Sequence, residues 1–280
     1  MAPRETVKST LARWQQEWLS PELIAELKRV ERIVLLPTGS LAQLPWNALL
    51  IEALDLSEQA VSVVIAADIN SALDLRFEWE PIKVTDKVLV VGNPDYQGEL
   101  PQLPGAEAEA RFYERTFNTR ALIGQAATLE RVVHELKDAD VAFLATHGFS
   151  DNKAGLEGGA VTLTGGRMNA RSIQAMKLEK YPLIVLSACE TGLGQTHAAG
   201  TIGLTRAFQL AGAIGVVMSL WSVDDLATQQ LMEHFVHELK TASPSLALMR
   251  AQLRLKKTHP DPRHWGAFSY FGTPVGEPRR

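Results

Sequence analysis

Six short apolar runs constrain the fold of this chain more than any other feature of its sequence. They lie at 32–39, 61–68, 87–94, 141–148, 182–189 and 215–221. None of them alternates apolar with polar residues. Continuous apolar runs of about four to eight residues are typical of strands that are buried on both faces, as in a parallel sheet.

Amphipathic segments separate these runs. Apolar residues recur at helical spacing in 41–50, 68–77, 106–117, 128–137, 200–212, 225–240 and 245–257. Strand–helix–strand alternation predicts an α/β fold, with an open, mostly parallel sheet flanked by helices on both faces. Only 155–169 breaks the alternation. Its short β-like core between glycine pairs predicts a β-hairpin insert beside the 141–148 strand.

The domain organisation follows from length and pattern. A chain of 280 residues holds one large domain or two small ones. Helical spacing in 6–30 predicts a helical N-terminal extension over 1–30, followed by one α/β domain over 31–280. That extension is shorter than one tetratricopeptide repeat of about 34 residues. Both a stand-alone protein and the catalytic end of a larger one fit this pattern.

Composition excludes several classes of protein. Hydrophobic residues are 46% and charged residues 21%, which excludes a disordered chain. A net charge of −4 argues against nucleic acid as the main ligand. No apolar run approaches the ~20 residues of a membrane span, and the polar N-terminus lacks a signal core. We therefore expect a soluble, cytoplasmic protein with no nucleic-acid or membrane partner.

Cys189 is the single cysteine, so neither an intrachain disulfide nor a cysteine-based zinc cluster is possible. It ends the 182–189 run, and His147 comes near the end of the 141–148 run. Sites in open α/β sheets form at the carboxyl ends of strands. If these two strands are neighbours, about 4.8 Å apart, the two side chains share one cleft.

A thiol beside an imidazole is the arrangement of a nucleophilic dyad. The imidazole raises the thiolate fraction and later protonates the leaving amine. Each residue alone also fits a structural role, since lone cysteines are usually buried and lone histidines are usually hydrogen-bonded. Their occurrence at matching strand ends favours the dyad. No metal or cofactor is needed for this chemistry.

Two backbone amides complete the predicted site. Gly148 has no side chain to obstruct a substrate carbonyl, and its N–H and that of Cys189 are candidate oxyanion-hole donors. The 190–194 segment after Cys189 is rich in glycine, as expected where backbone approaches a ligand.

A substrate-binding wall is expected after the 215–221 strand. We expect an extended peptide to pair along an edge strand at Ser219, Leu220 and Trp221. Asp224 and Asp225 follow, and one of them is expected to cap the next helix while the other reaches the P1 side chain of the substrate. The alternative is an apolar P1 pocket lined by Leu220, Trp221 and Val223, with both acids facing solvent.

Six segments together resemble the CHAT domain family, bacterial relatives of caspases and separases. They are VAFLATHG, LSACETGLG, GTIGLTRAFQLAGAIGVVMSLWSVDD, LPGAEAEA (103–110), IVLLPTGSLAQLPWNAL (33–49) and HWGAFSYFG (264–272). The resemblance implies a caspase-like cysteine endopeptidase with His147 as base and Cys189 as nucleophile. In separases, which the 222–225 region resembles, an acid here receives a basic P1 side chain.

The resemblance also implies regulation, because family members often follow partner-sensing repeats. We therefore expect a protein or peptide substrate, together with a regulatory partner or a fused sensor domain. Two rival interpretations remain at this point. One is a non-catalytic interaction module with the same fold. The other is an α/β domain that binds a nucleotide or another small molecule, which the absence of a Walker A motif disfavours.

Overall fold

A computed structural model describes residues 6–57, 60–150, 159–187, 198–221 and 223–278 of the chain. The α-helices in these ranges are α1 (Val7–Trp18), α2 (Pro21–Leu27), α3 (Trp46–Ala53), α4 (Ile69–Leu73), α5 (Pro104–Phe117), α6 (Leu129–Leu136), α7 (Ala170–Gln174), α8 (Ala198–Ala211), α9 (Asp225–Glu238), α10 (Pro244–Thr258) and α11 (Pro262–Trp265). A 3₁₀ helix spans Gly39–Gln43.

The strands are β1 (Arg32–Leu35), β2 (Ser62–Ile65), β3 (Val88–Pro94), β4 (Leu122–Gly124), β5 (Val141–Ala145), β6 (Gly148–Ser150), β7 (Gly159–Leu163), β8 (Gly166–Asn169), β9 (Leu183–Leu186), β10 (Gly215–Ser219) and β11 (Phe268–Gly272). All six apolar runs contain a strand, although each strand is shorter than its run. The prediction of an α/β fold is confirmed.

The main sheet has eight strands in the order β1-β2-β11-β10-β9-β5-β3-β4. Neighbouring strands are parallel throughout, except that β10 and β11 are antiparallel. The sheet is therefore mostly parallel, as predicted. The strand β11 was not predicted, because its residues Phe268–Gly272 are aromatic, polar or glycine and form no aliphatic run.

The position of β11 corrects one expectation about the substrate wall. Because β10 lies between β9 and β11, it is an interior strand. Ser219 is opposite Phe268, and the Leu220 N–H donates to the Ala267 carbonyl at 2.9 Å. The expectation that Ser219 and Leu220 lie on an edge strand is wrong, since β11 already occupies that side of their backbone.

A second, smaller sheet has the order β6-β7-β8 and is antiparallel. The β7–β8 hairpin turns at Thr164 and Gly165, where Gly165 has a φ of +80°. A positive φ suits glycine because it has no Cβ. This hairpin confirms the predicted β insert. Residues 151–158 lie outside the described residues.

Both faces of the main sheet are covered. On β5, Val141 and Phe143 belong to one apolar cluster, whereas Ala142 and Leu144 belong to the other. The first cluster includes side chains of α1, α3, α5, α9 and α10, and the second includes those of α6, α7 and α8. Helices therefore flank both faces, as the continuous apolar runs predict.

The predicted boundary at residue 30 stays a prediction. Within the extension, α1 packs against α3, and Leu11 is only 1% exposed within the larger core. Thr6 and Ser9 form a capping box that fixes the first turn of α1.

Candidate active site

The strands that carry the predicted dyad are direct neighbours. β5 pairs with β9 in parallel, with Leu144 opposite Leu186. His147 is the third residue after Leu144, and Cys189 is the third residue after Leu186. The condition on which the dyad prediction depends is therefore met. Cys189 itself, and the 190–194 loop, lie outside the described residues.

The His147 side chain is buried, with 3% of its surface exposed. Its Nε2 lies 2.8 Å from the carbonyl oxygen of Pro101. Because a carbonyl only accepts hydrogen bonds, Nε2 carries the proton in the neutral ring. Nδ1 is then the unprotonated nitrogen of the neutral ring.

An aromatic ring also contacts the imidazole. The ring of Tyr96 meets that of His147 edge-on, with centroids 4.7 Å apart. The Tyr96 hydroxyl lies 3.1 Å from Oγ1 of Thr146. Burial raises the pKa of Tyr96 to about 12, so the phenol is neutral at physiological pH. Tyr96 therefore limits the orientation of the ring without adding a charge.

The segment between β3 and α5 supplies both Pro101 and Tyr96. Asn93, the second-to-last residue of β3, lies in the left-handed region at φ 43°, and its Oδ1 accepts the N–H of Leu103 at 2.8 Å. Gly92 lets α5 approach β3, because a Cβ there would lie 2.3 Å from the Cβ of Ala110. The segment that orients His147 is thus fixed at both ends.

The small sheet holds the other side of His147. The Thr162 N–H donates to the His147 carbonyl at 2.9 Å, and Oγ1 of Thr146 donates to the Thr162 carbonyl at 2.6 Å. Antiparallel pairs alternate between hydrogen-bonded and non-hydrogen-bonded. His147 and Thr162 form a hydrogen-bonded pair, so the next pair, Gly148 and Val161, is non-hydrogen-bonded. The Gly148 N–H therefore points away from β7. This direction fits a candidate oxyanion donor.

The predicted wall residues lie after β10. Ser219 and Leu220 are buried, and Leu220 packs in a small cluster with Ile65 and Phe271. Trp221 is partly exposed and donates its Nε1–H to the Arg263 carbonyl at 3.3 Å. Their contact with a substrate stays a prediction.

Asp224 is the N-cap of α9. Its Oδ1 accepts the N–H groups of Leu226 and Ala227, each at 3.1 Å. This is the capping role expected for one of the two acids. Asp225 is the first residue of α9, and its side chain lies outside the description.

Several contacts of the site were not predicted. No sequence motif marks Tyr96, Pro101 or Thr146 as part of a site. Tyr96 acts through its ring, Pro101 through its backbone carbonyl and Thr146 through its hydroxyl. The sequence did contain one signal for this segment. Asn93-Pro94 ends the 87–94 run, and sites in α/β sheets form at the carboxyl ends of strands.

The fold is caspase-like and is similar to the folds of two solved structures. The Saccharomyces cerevisiae separase–securin complex matches with a TM-score of 0.57 and 16% identity, over 87% of this chain and 16% of that chain. The Arg-specific cysteine proteinase gingipain R matches with a TM-score of 0.55 and 10% identity, over 98% of this chain and 69% of that chain. Identities this low establish the fold alone.

Residues 9–276 match the CHAT domain family, and the chain belongs to that family. Tetratricopeptide repeat protein 28 of Mus musculus and of Homo sapiens are each 25% identical to it, over 68% of this chain. The chain spans about a tenth of the length of these two relatives, 10% in each case.

Among the described helices, none combines the length and the apolar character needed to cross a membrane.

Proposed function

We propose that this chain is a cysteine endopeptidase that hydrolyses protein substrates with His147 and Cys189. The observation that carries the proposal is the pairing of β5 with β9, because it aligns the two strand ends that lead to these residues. Family membership and the caspase-like fold support it.

The orientation of His147 supports a role as general base. With Nε2–H donating to the Pro101 carbonyl, Nδ1 takes the proton of the Cys189 thiol. The Pro101 carbonyl also stabilises the imidazolium that forms, since it accepts from a ring that has become positive. The thiolate then attacks the scissile carbonyl carbon of the substrate.

The tetrahedral oxyanion accepts hydrogen bonds from the backbone N–H groups of Gly148 and Cys189. The outward direction of the Gly148 N–H supports the first of these contacts. Nδ1–H next protonates the leaving amine, which breaks the peptide bond and leaves a thioester on Cys189. Water, deprotonated by His147, hydrolyses that thioester and restores the thiol.

A protein partner is part of this proposal. An unrestrained endopeptidase would damage its host, so a regulatory protein or a fused sensor is expected to control the site. The similar proteins are consistent with this, because one is solved as a separase–securin complex and two are named for tetratricopeptide repeats.

A peptidyl electrophile that reacts with thiolates tests the proposal against its rivals. Because the chain has a single cysteine, labelling followed by mass spectrometry reports on Cys189 alone. A peptidase reacts faster with the peptidyl electrophile than with a small electrophile of equal intrinsic reactivity. Equal rates with the two reagents would favour a non-catalytic interaction module or a small-molecule-binding domain.

A further inference from the structure

A buried carboxylate lies beside the end of β9. Glu109 of α5 is 4% exposed. Its Oε1 accepts two hydroxyl groups, from Tyr113 at 2.7 Å and from Ser187 at 2.7 Å. Burying a carboxylate costs free energy unless it is well hydrogen-bonded, and these two hydroxyl groups offset part of that cost.

The helix that carries Glu109 is firmly attached to the sheet. The Tyr113 ring is buried and stacks on Phe143 of β5, with centroids 4.1 Å apart. Burial first, and then the negative charge of Glu109, raise the pKa of Tyr113 well above its usual value. Its phenol therefore stays protonated and keeps donating to Glu109.

Ser187 connects this helix to the nucleophile strand. It directly follows β9 and precedes Cys189 by two residues. Its N–H donates to the Leu144 carbonyl of β5 at 3.1 Å, while its hydroxyl donates to Glu109. The chain leading to Cys189 is thus attached to a neighbouring strand by its backbone and to α5 by its side chain.

We propose that Glu109 is a positioning residue, which fixes through Ser187 the backbone that presents Cys189. The inference rests on the proposed function, in which the Cys189 thiol must meet Nδ1 of His147. Displacing a reacting group by about 1 Å can cost about 100-fold in rate, so a fixed strand end has catalytic value.

Single substitutions separate positioning from general stability. Ser187→Ala removes the hydroxyl that reaches Glu109, and Ser187→Thr keeps a hydroxyl there. Glu109→Gln keeps an acceptor oxygen, and Glu109→Ala removes it. Thr119→Ala is the matched control, because it removes a partly buried hydroxyl that donates to the Val88 carbonyl at 3.0 Å, away from the β9 end.

The readout is the rate at which iodoacetamide alkylates Cys189 across pH, measured on the full chain beside its melting temperature. Ser187→Ala and Glu109→Ala should slow alkylation at pH 7 by about 10-fold and move its half-maximum to higher pH. Ser187→Thr and Glu109→Gln should recover most of the rate, and Thr119→Ala should stay within about twofold of wild type.

A wild-type rate in Ser187→Ala would overturn the inference. So would equal slowing in Ser187→Ala and Thr119→Ala, because that result indicates a stability effect alone. Failure of the wild type to cleave any peptide would instead contradict the proposed function, since alkylation requires no peptide cleavage.

Discussion

At the scale of single residues, contacts from two parts of the chain hold the imidazole and the backbone of His147. The Pro101 carbonyl fixes Nε2, the Tyr96 ring packs edge-on, and Thr162 binds the backbone carbonyl of His147. Such a preorganised ring loses little entropy when it takes a proton in a transition state. This is the arrangement that the proposed base requires.

Replacing the base tests this directly. His147→Ala should lower peptide turnover by at least ~100-fold, the usual contribution of a positioned acid–base group. His134→Ala is the control, because His134 lies exposed on α6. Steady-state kinetics of both variants are the measurement. Turnover near wild type in His147→Ala would remove His147 from the dyad. Attention would then move to His197, a histidine in the segment after Cys189 that lies outside the described residues.

The two acids after β10 lead to a second prediction, which concerns the P1 residue that the site prefers. Asp224 caps α9, so we expect Asp225 to be the acid that reaches the P1 side chain. The alternative is an apolar pocket lined by Leu220, Trp221 and Val223, of which Leu220 and Val223 are buried at 7% and 6% exposure and Trp221 is partly exposed. We expect cleavage after basic residues, with Arg preferred to Lys if the contact is bidentate.

A P1 peptide library measures this with wild type, Asp224→Asn and Asp225→Asn. Asn replaces Asp well as an N-cap, so Asp224→Asn should keep the basic preference. Asp225→Asn should lose it by about 10-fold or more, the scale of a lost charge-assisted hydrogen bond. An apolar preference that neither substitution changes would refute the acidic pocket and leave the His147–Cys189 mechanism intact.

At the scale of elements, the close approach of α5 to β3 supports the site. Gly92→Ala would bring a Cβ to 2.3 Å from Ala110 Cβ and 2.7 Å from the Ala106 carbonyl oxygen. Such overpacking typically destabilises a protein by about 1–3 kcal/mol. The substitution would also displace the segment that carries Pro101. Turnover should therefore fall by more than the loss of folded protein explains.

Thermal unfolding and turnover of Gly92→Ala are compared with those of Gly276→Ala. A Cβ at Gly276 meets its nearest atom at 3.4 Å, an ordinary contact, so that variant should change stability by less than about 0.5 kcal/mol. An unchanged melting temperature in Gly92→Ala would contradict the tight α5–β3 packing.

The elements also show what sequence reasoning can reach. Aliphatic runs predicted the parallel strands, and therefore the positions of His147 and of the chain leading to Cys189. The strand β11 was not predicted because its Phe268–Gly272 segment mixes aromatic and polar residues. Its pairing with β10 is also a long-range contact, which no local pattern reports. The partners of His147 and Glu109 were not predicted either, because contacts to hydroxyl and carbonyl groups leave no periodic pattern in the sequence.

At the scale of the whole molecule, the proposed regulation predicts low basal activity. The isolated chain should turn over a good peptide substrate well below about 1 s⁻¹, the lower end of the usual range for enzymes. The reason is that a partner or a fused domain is expected to complete the site. Active-site titration followed by turnover per labelled thiol is the measurement. A rate of about 10 s⁻¹ or more without any partner would contradict this regulation.

The central claim is that Cys189 is the nucleophile of a peptidase. The most direct measurement is cleavage of a P1-diverse peptide library by wild type and by Cys189→Ala, with products identified by mass spectrometry. We predict that the wild type produces defined cleavages and that Cys189→Ala produces none. Its melting temperature should stay close to that of the wild type, because the substitution removes one sulfur atom. The same cleavages at the wild-type rate in a folded Cys189→Ala would contradict the account.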